Sequence, residues 1–189
     1  FGMNHILISF TEAATAVFGA YFKLQSFIFM PCFGLNNAMT PIVSYNYGAG
    51  KFDRVRKTVR LTAVTAIAIM CVGCALLELI PGTLLGLFSP TAEGLAIGKT
   101  ALRIIGLHFP LAGFSIIAAS ACQALGKPIY ALESSVCRQI VVLLPVAYLL
   151  SLSGQLSLVW LSFPIAELAA VLLNAWFLKR AYRAALTGK

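Results

Sequence analysis

Long apolar runs alternate along the chain with short polar or basic breaks, and no stretch shows the period-2 alternation of a half-buried strand. Residues 1–10 form a partial apolar segment closed by Thr11 and Glu12, and a second segment covers 13–47. A third covers 58–80 and ends at Pro81-Gly82, followed by an amphiphilic connection over 83–98 that holds Ser89-Pro90 and Glu93. The fourth covers 100–125 and ends at Gly126-Lys127-Pro128; the fifth covers 134–152 and the sixth 156–178. About 20 mainly apolar residues cross the hydrocarbon core as a helix. In lipid an uninterrupted run must satisfy its own backbone hydrogen bonds, which a helix does and an open strand does not. The pattern therefore predicts an all-α integral membrane protein: a bundle of about five complete transmembrane helices plus a partial first one. The second segment would reach roughly 50 Å as a helix, longer than the core, so it must tilt, protrude, or kink at Pro31 or Pro41.

Composition agrees. The residues are 60% hydrophobic and 11% charged, with a mean hydropathy of +0.90, which excludes an ordinary soluble domain. A net charge of +8 raises the question of nucleic acid. The charges sit in short clusters between apolar runs rather than over a continuous basic face, so no nucleic-acid partner is expected. Phe1 opens inside an apolar run with neither a basic leader nor a small-residue cleavage site. No signal peptide is read there, and upstream helices are expected.

Charge asymmetry sets an orientation. Eleven of the 14 Lys and Arg fall in alternate connections. They are Lys51, Arg54, Arg56, Lys57 and Arg60; then Lys127 and Arg138; then Lys179, Arg180, Arg183 and Lys189. Those connections and the C-terminus are expected on the cytoplasmic side of a multi-pass protein of the cell's inner membrane. Trp160 and Trp176, about 24 Å apart along the last segment, suit one ring near each interface.

Charges left inside the membrane are the candidates for chemistry. Lys23 and Glu167 fall at comparable depths, about 16 Å into their segments. Each costs about 2.5–3.5 kcal/mol at the bilayer centre, so both should face other helices or a wet cavity. The expectation is an enclosed pair, or two poles of one cavity. Arg103 and Glu78 lie nearer the outer interface. Asn4, Gln25, Asn36, Asn37 and Asn174 either bond between helices or line a cavity, and Met30 lies one turn from Gln25. His108, with Glu167, is a candidate carrier of a coupling ion. Neither His5 nor His108 has metal-spaced partners, so no metal is read. Cys71-x-x-Cys74 lies within an apolar run and reads as packing. No nucleophilic triad is suggested by spacing, and Gly48-x-Gly50 lacks the rest of a dinucleotide fingerprint; the chain reads as a non-enzyme without a cofactor.

The stretch from Pro31 to Arg60 carries two prolines, paired asparagines, a glycine-bounded turn and a basic cluster. Gly34, Pro41, Asn46, Gly48 and Ala49 together resemble the end of the second helix of a lobe in the multidrug and toxic compound extrusion (MATE) family. There a Pro-containing helix runs into an N-x-G-A-type turn and a basic loop, read here at Asn46, Tyr47, Gly48 and Ala49, with Gly50 closing it. The resemblance implies a C-terminal lobe over 1–189, with the N-terminal lobe missing. It also implies secondary active efflux of small organic, cationic or amphiphilic solutes, by proton- or sodium-coupled antiport through two rocking lobes. Many members carry an acid in the helix matching the fourth segment, whereas Phe109-Pro110-Leu111-Ala112-Gly113-Phe114 has none. Alternatives are a lipid-linked saccharide flippase of related fold, or a structural membrane fragment inactive on its own.

Overall fold

The computed structural model describes residues 2–88 and 90–187. Phe1, Ser89 and Lys189, which enter the sequence reading above, lie outside the described residues. Among the described residues every regular element is helical. In order these are α1 (Gly2–Ile8), α2 (Glu12–Gly48), α3 (Phe52–Leu79), α4 (Pro81–Gly86), α5 (Ala92–Gly106), α6 (Phe109–Ala124) and α7 (Pro128–Val136). A π-helical segment, Cys137–Leu143, leads into α8 (Leu144–Ser151), and α9 (Leu156–Trp160) and α10 (Ser162–Thr187) complete the chain. Four stretches are long and apolar enough to span a membrane: Glu12–Gly48, Phe52–Leu79, Pro128–Ser151 and Leu156–Ala185. The pair α5 and α6, bent by 46°, makes a fifth.

Prolines place the breaks. A proline lacks the N–H that would bond four residues back, and its ring presses on that carbonyl. Pro110 thus ends α5 at Gly106, and Pro164 separates α9 from α10 at the level of Trp160. Pro145 acts on Val141, and there the backbone widens into the π-helical segment instead of breaking. Pro81 and Pro128 start α4 and α7, where a missing N–H costs nothing. The fourth predicted segment therefore begins earlier, at Ala92, and is split at Leu107-His108, while the fifth begins at Pro128. Pro31 and Pro41 are instead accommodated inside one continuous α2.

The turn after α2 is a Schellman cap. The Lys51 N–H donates to the Asn46 carbonyl at 2.9 Å and the Gly50 N–H to the Tyr47 carbonyl at 3.0 Å. Gly50 takes a φ of +68°, and Gly48 is the last residue of the helix. The glycine-specific conformation thus falls at Gly50 and not at Gly48. The same cap recurs at Gly126, where the Lys127 N–H reaches the Cys122 carbonyl at 2.9 Å. Asn46 is held within its helix, its Nδ2 donating to the Ile42 carbonyl at 2.8 Å. The basic cluster is no loop: Arg54, Arg56, Lys57 and Arg60 ride on the first turns of α3.

Close packing follows small residues. A Cβ on Gly113 in α6 would lie 3.0 Å from the Ala66 carbonyl oxygen of α3, so the two backbones touch there. Gly73 of α3 similarly leaves room for Ile28 of α2. Phe18, Tyr21, Trp160 and Phe163 form an aromatic knot, with Phe18 and Phe163 centroids 5.8 Å apart. Trp160 is buried in that knot rather than lying in an interfacial belt. Trp176 is exposed, as a belt residue should be.

Candidate functional site

Glu167 sits six residues into α10 from its first residue Ser162, only 2% exposed, where an unpaired carboxylate would be too costly to keep. Its partner is Arg138, whose Nη1 donates to Glu167 Oε2 at 3.0 Å. Arg138 belongs to the π-helical segment, and its side chain stays 40% exposed. Acid and base thus come from adjacent spans, and the asymmetry of burial gives them different roles. The carboxylate is enclosed, while the part-exposed Arg138 side chain holds it through Nη1 and also borders open space.

That space is a cavity of about 230 Å³ between α2, α6, α7 with its π-helical continuation, and α10. Gln25 and the rings of Phe29 and Phe33 face it from α2, Ser115 from α6, Ser134 from α7, and Asn174 from α10. Two of its polar atoms, Ser115 Oγ and Asn174 Oδ1, are buried with no hydrogen-bond partner among the described residues. Such atoms are rare in folded proteins, and in a polar cavity they mark where a ligand or water would bond. Tyr21 and His108 stand within electrostatic reach of both charges.

His108 lies at the α5–α6 break, buried against Phe109 with ring centroids 5.1 Å apart. Its Nδ1 meets the Ile105 carbonyl at 2.6 Å; a carbonyl only accepts, so the proton sits on Nδ1. A second cavity, about 280 Å³, opens on the other side of the π-helical segment. It takes Asn4 from α1, Thr15 from α2 and Gln139 from the π-helical segment, and Thr15 Oγ1 is again buried without a partner.

Of the predicted residues, Gln25 and Glu167 share the first cavity and Asn4 lines the second. Lys23 does not pair with Glu167. It is exposed, with Nζ 5.6 Å from the centre of the Phe88 ring beyond α4, and reaches toward the end of the bundle that holds that turn. A long aliphatic stem lets lysine do this, whereas Glu167 has no such reach. Met30 and Asn37 are exposed on α2. Asn36 is half-buried with its Oδ1 unpartnered, outside both cavities. Asn46, Gly48, Ala49 and Gly50 form the cap described above. Arg103 Nε donates to the Glu78 carbonyl at 3.3 Å, near the end of α3. Among the described residues no three His, Cys, Asp or Glu side chains gather as a metal site.

Arg138 is the residue that sequence reading misplaced, by assigning it to a cytoplasmic connection with Lys127. The signal was present: Pro128 starts a helix, and Arg138 lies about 15 Å further along it.

The sequence pattern of the MatE family matches residues 2–149, from α1 into α8. The chain belongs to the MatE family. The match includes Arg138 but stops before Glu167. Within MatE and its relatives, the chain is 27% identical over 187 residues to the multidrug export protein MepA of Staphylococcus haemolyticus, covering 98% of this chain and 40% of that protein. It is 25% identical over 163 residues to the FAD transporter of Shewanella oneidensis, covering 86% and 36%. Among solved structures, the MATE multidrug transporter DinF-BH superposes with a TM-score of 0.81 at 37% identity, over 94% of this chain and 40% of that one. A MOP superfamily transporter from Pyrococcus furiosus superposes with a TM-score of 0.90 over 98% of this chain and 42% of that one, at 21% identity. This MatE chain therefore spans about two-fifths of the length of the relatives it matches. With its spans, the family places it as an integral membrane protein.

Proposed function

We propose that the chain is the C-terminal lobe of a two-lobe secondary transporter of the inner membrane, exporting cationic or amphiphilic organic solutes. Its basic ends, including the C-terminus, face the cytoplasm on the positive-inside rule. The Arg138–Glu167 pair, set in a polar cavity between four spans, carries this reading. Ionisable residues within the membrane are costly and mark substrate and ion pathways. We take the counter-ion to be a proton. Glu167 is a lone carboxylate whose partner is a cation, so a proton on it removes the attraction that holds Arg138 at 3.0 Å. Arg138, already part-exposed on a backbone widened by the π-helical turn, is then free to swing. Loss of that cross-link between the α7–α8 span and α10 lets the lobe change shape, and rocking against the second lobe exposes the solute site to the other side. The name of the MepA relative, a multidrug export protein, supports organic solutes as cargo, and the MatE match favours efflux over lipid-linked saccharide flipping.

The test is efflux of a fluorescent cationic dye from cells carrying the full-length gene, beside an assay of lipid-linked saccharide flipping. Dye efflux that collapses when the proton gradient is dissipated supports the reading. Flipping without efflux, or efflux driven only by sodium, contradicts it.

A further inference from the structure

A second groove lies away from the ion pair, between the first turns of α3, the middle of α6 and the last turns of α10. Its volume is about 430 Å³. On α10 the lining residues Leu178, Lys179 and Tyr182 follow a helical repeat, so one face of the helix forms the wall. That face changes character along its length. Leu178 is apolar and sits beside Phe114 of α6, about 15 Å before the end of that helix. Lys179 and Arg183 follow within about 8 Å of helix axis. Arg56 joins them from α3, its guanidinium carbon 5.8 Å from the centre of the Tyr182 ring. Among the described residues that line the groove, three are basic and none is acidic. The groove thus has an apolar floor of Leu178 and Phe114 and a cationic mouth of Arg56, Lys179 and Arg183.

We propose that this groove is a binding site for an anionic glycerophospholipid. The phosphate sits among Arg56, Lys179 and Arg183, and the upper part of an acyl chain lies along Leu178 and Phe114. Charge complementarity selects the occupant: a neutral lipid gains nothing from three cations. A free soluble anion leaves the apolar floor uncovered. Basic pockets between transmembrane helices near the cytoplasmic face recognise phosphate head groups in this way. Arg56 and Tyr182 give the phosphate a fixed rim, because the guanidinium rests on the ring instead of sampling its rotamers.

The test is native mass spectrometry of the full-length protein in detergent, titrated with phosphatidylglycerol or phosphatidylcholine of the same acyl chains. The wild-type protein retains phosphatidylglycerol about tenfold better. In R56Q/K179Q/R183Q the preference falls close to unity. In the charge-matched control K51Q/R54Q/K57Q, whose residues do not line the groove, it persists. Equal retention of the two lipids by the wild-type protein overturns the proposal, even if the triple variant fails to fold. Equal loss in both triple variants overturns it in favour of a diffuse charge effect. Retention of inorganic phosphate with no lipid preference overturns it in favour of a soluble anion.

Discussion

Removing Arg138 and removing Glu167 should not cost the same, because the two partners differ in access to water. The gross attraction of unit charges 3.0 Å apart is about 5.5 kcal/mol at an effective dielectric of about 20. In R138M the carboxylate stays behind at 2% exposure with no other cation bonded to it among the described residues. Breaking a fully buried pair from one side costs about 3–5 kcal/mol. Arg138 is 40% exposed, which places the loss at the lower end, about 3 kcal/mol. In E167Q the stranded guanidinium can turn into the cavity and be hydrated, so the loss is about 1 kcal/mol. The double variant, with no charge to strand, should fall between, giving a coupling near 2 kcal/mol, well above the roughly 0.5 kcal/mol of independent sites. Unfolding of the purified full-length protein in mixed micelles under a denaturing-detergent titration measures all four corners of the cycle. Equal losses for the two single variants, or a loss below about 0.5 kcal/mol for R138M, refute the reasoning.

Three further outcomes are expected. Because Gly50 has a φ of +68° and Gly48 is helical, G50V should lose about 1–3 kcal/mol of stability while G48V loses under about 1, compared by the same titration. Because a Cβ on Gly113 would meet the Ala66 carbonyl oxygen at 3.0 Å, G113L should cost at least about 1–3 kcal/mol and depress folded yield on size-exclusion chromatography, where a wild-type yield contradicts the α3–α6 contact. Because the chain spans about two-fifths of its relatives, the 189-residue chain alone should move no dye in liposomes above empty vesicles, and transport by it would count against a two-lobe requirement.

The fold was legible wherever one rule acted alone. Apolar runs gave the spans because lipid leaves the backbone no choice but helix. The turn at Asn46-Tyr47-Gly48-Ala49 was legible as a cap, yet which glycine turns left-handed depends on the helix register, and that is fixed only when the cap bonds form. The same register decides that Trp160 joins the knot of Phe18, Tyr21 and Phe163 instead of an interface. At the site, Glu167 and Gln25 were readable as polar residues in apolar runs. The partner was not. Depth along two helices made Lys23 a match for Glu167, but depth says nothing about azimuth, and Lys23 points elsewhere. Arg138 hid because its charge was counted with Lys127 in a cytoplasmic connection, although it falls in the fifth segment and Pro128 had already started the span. Its final direction depends on the π-helical turn before Pro145, an extra-residue shift that hydropathy does not register.

The central claim, proton-driven antiport through the Arg138–Glu167 pair, is tested most directly in proteoliposomes containing the full-length protein. An imposed pH gradient, then an imposed sodium gradient, drives movement of a cationic dye, with wild type beside E167Q. The account predicts transport under the pH gradient by wild type, none by E167Q, and unchanged dye binding in that variant. Wild-type rates in E167Q, or transport that follows sodium and ignores pH, would contradict it.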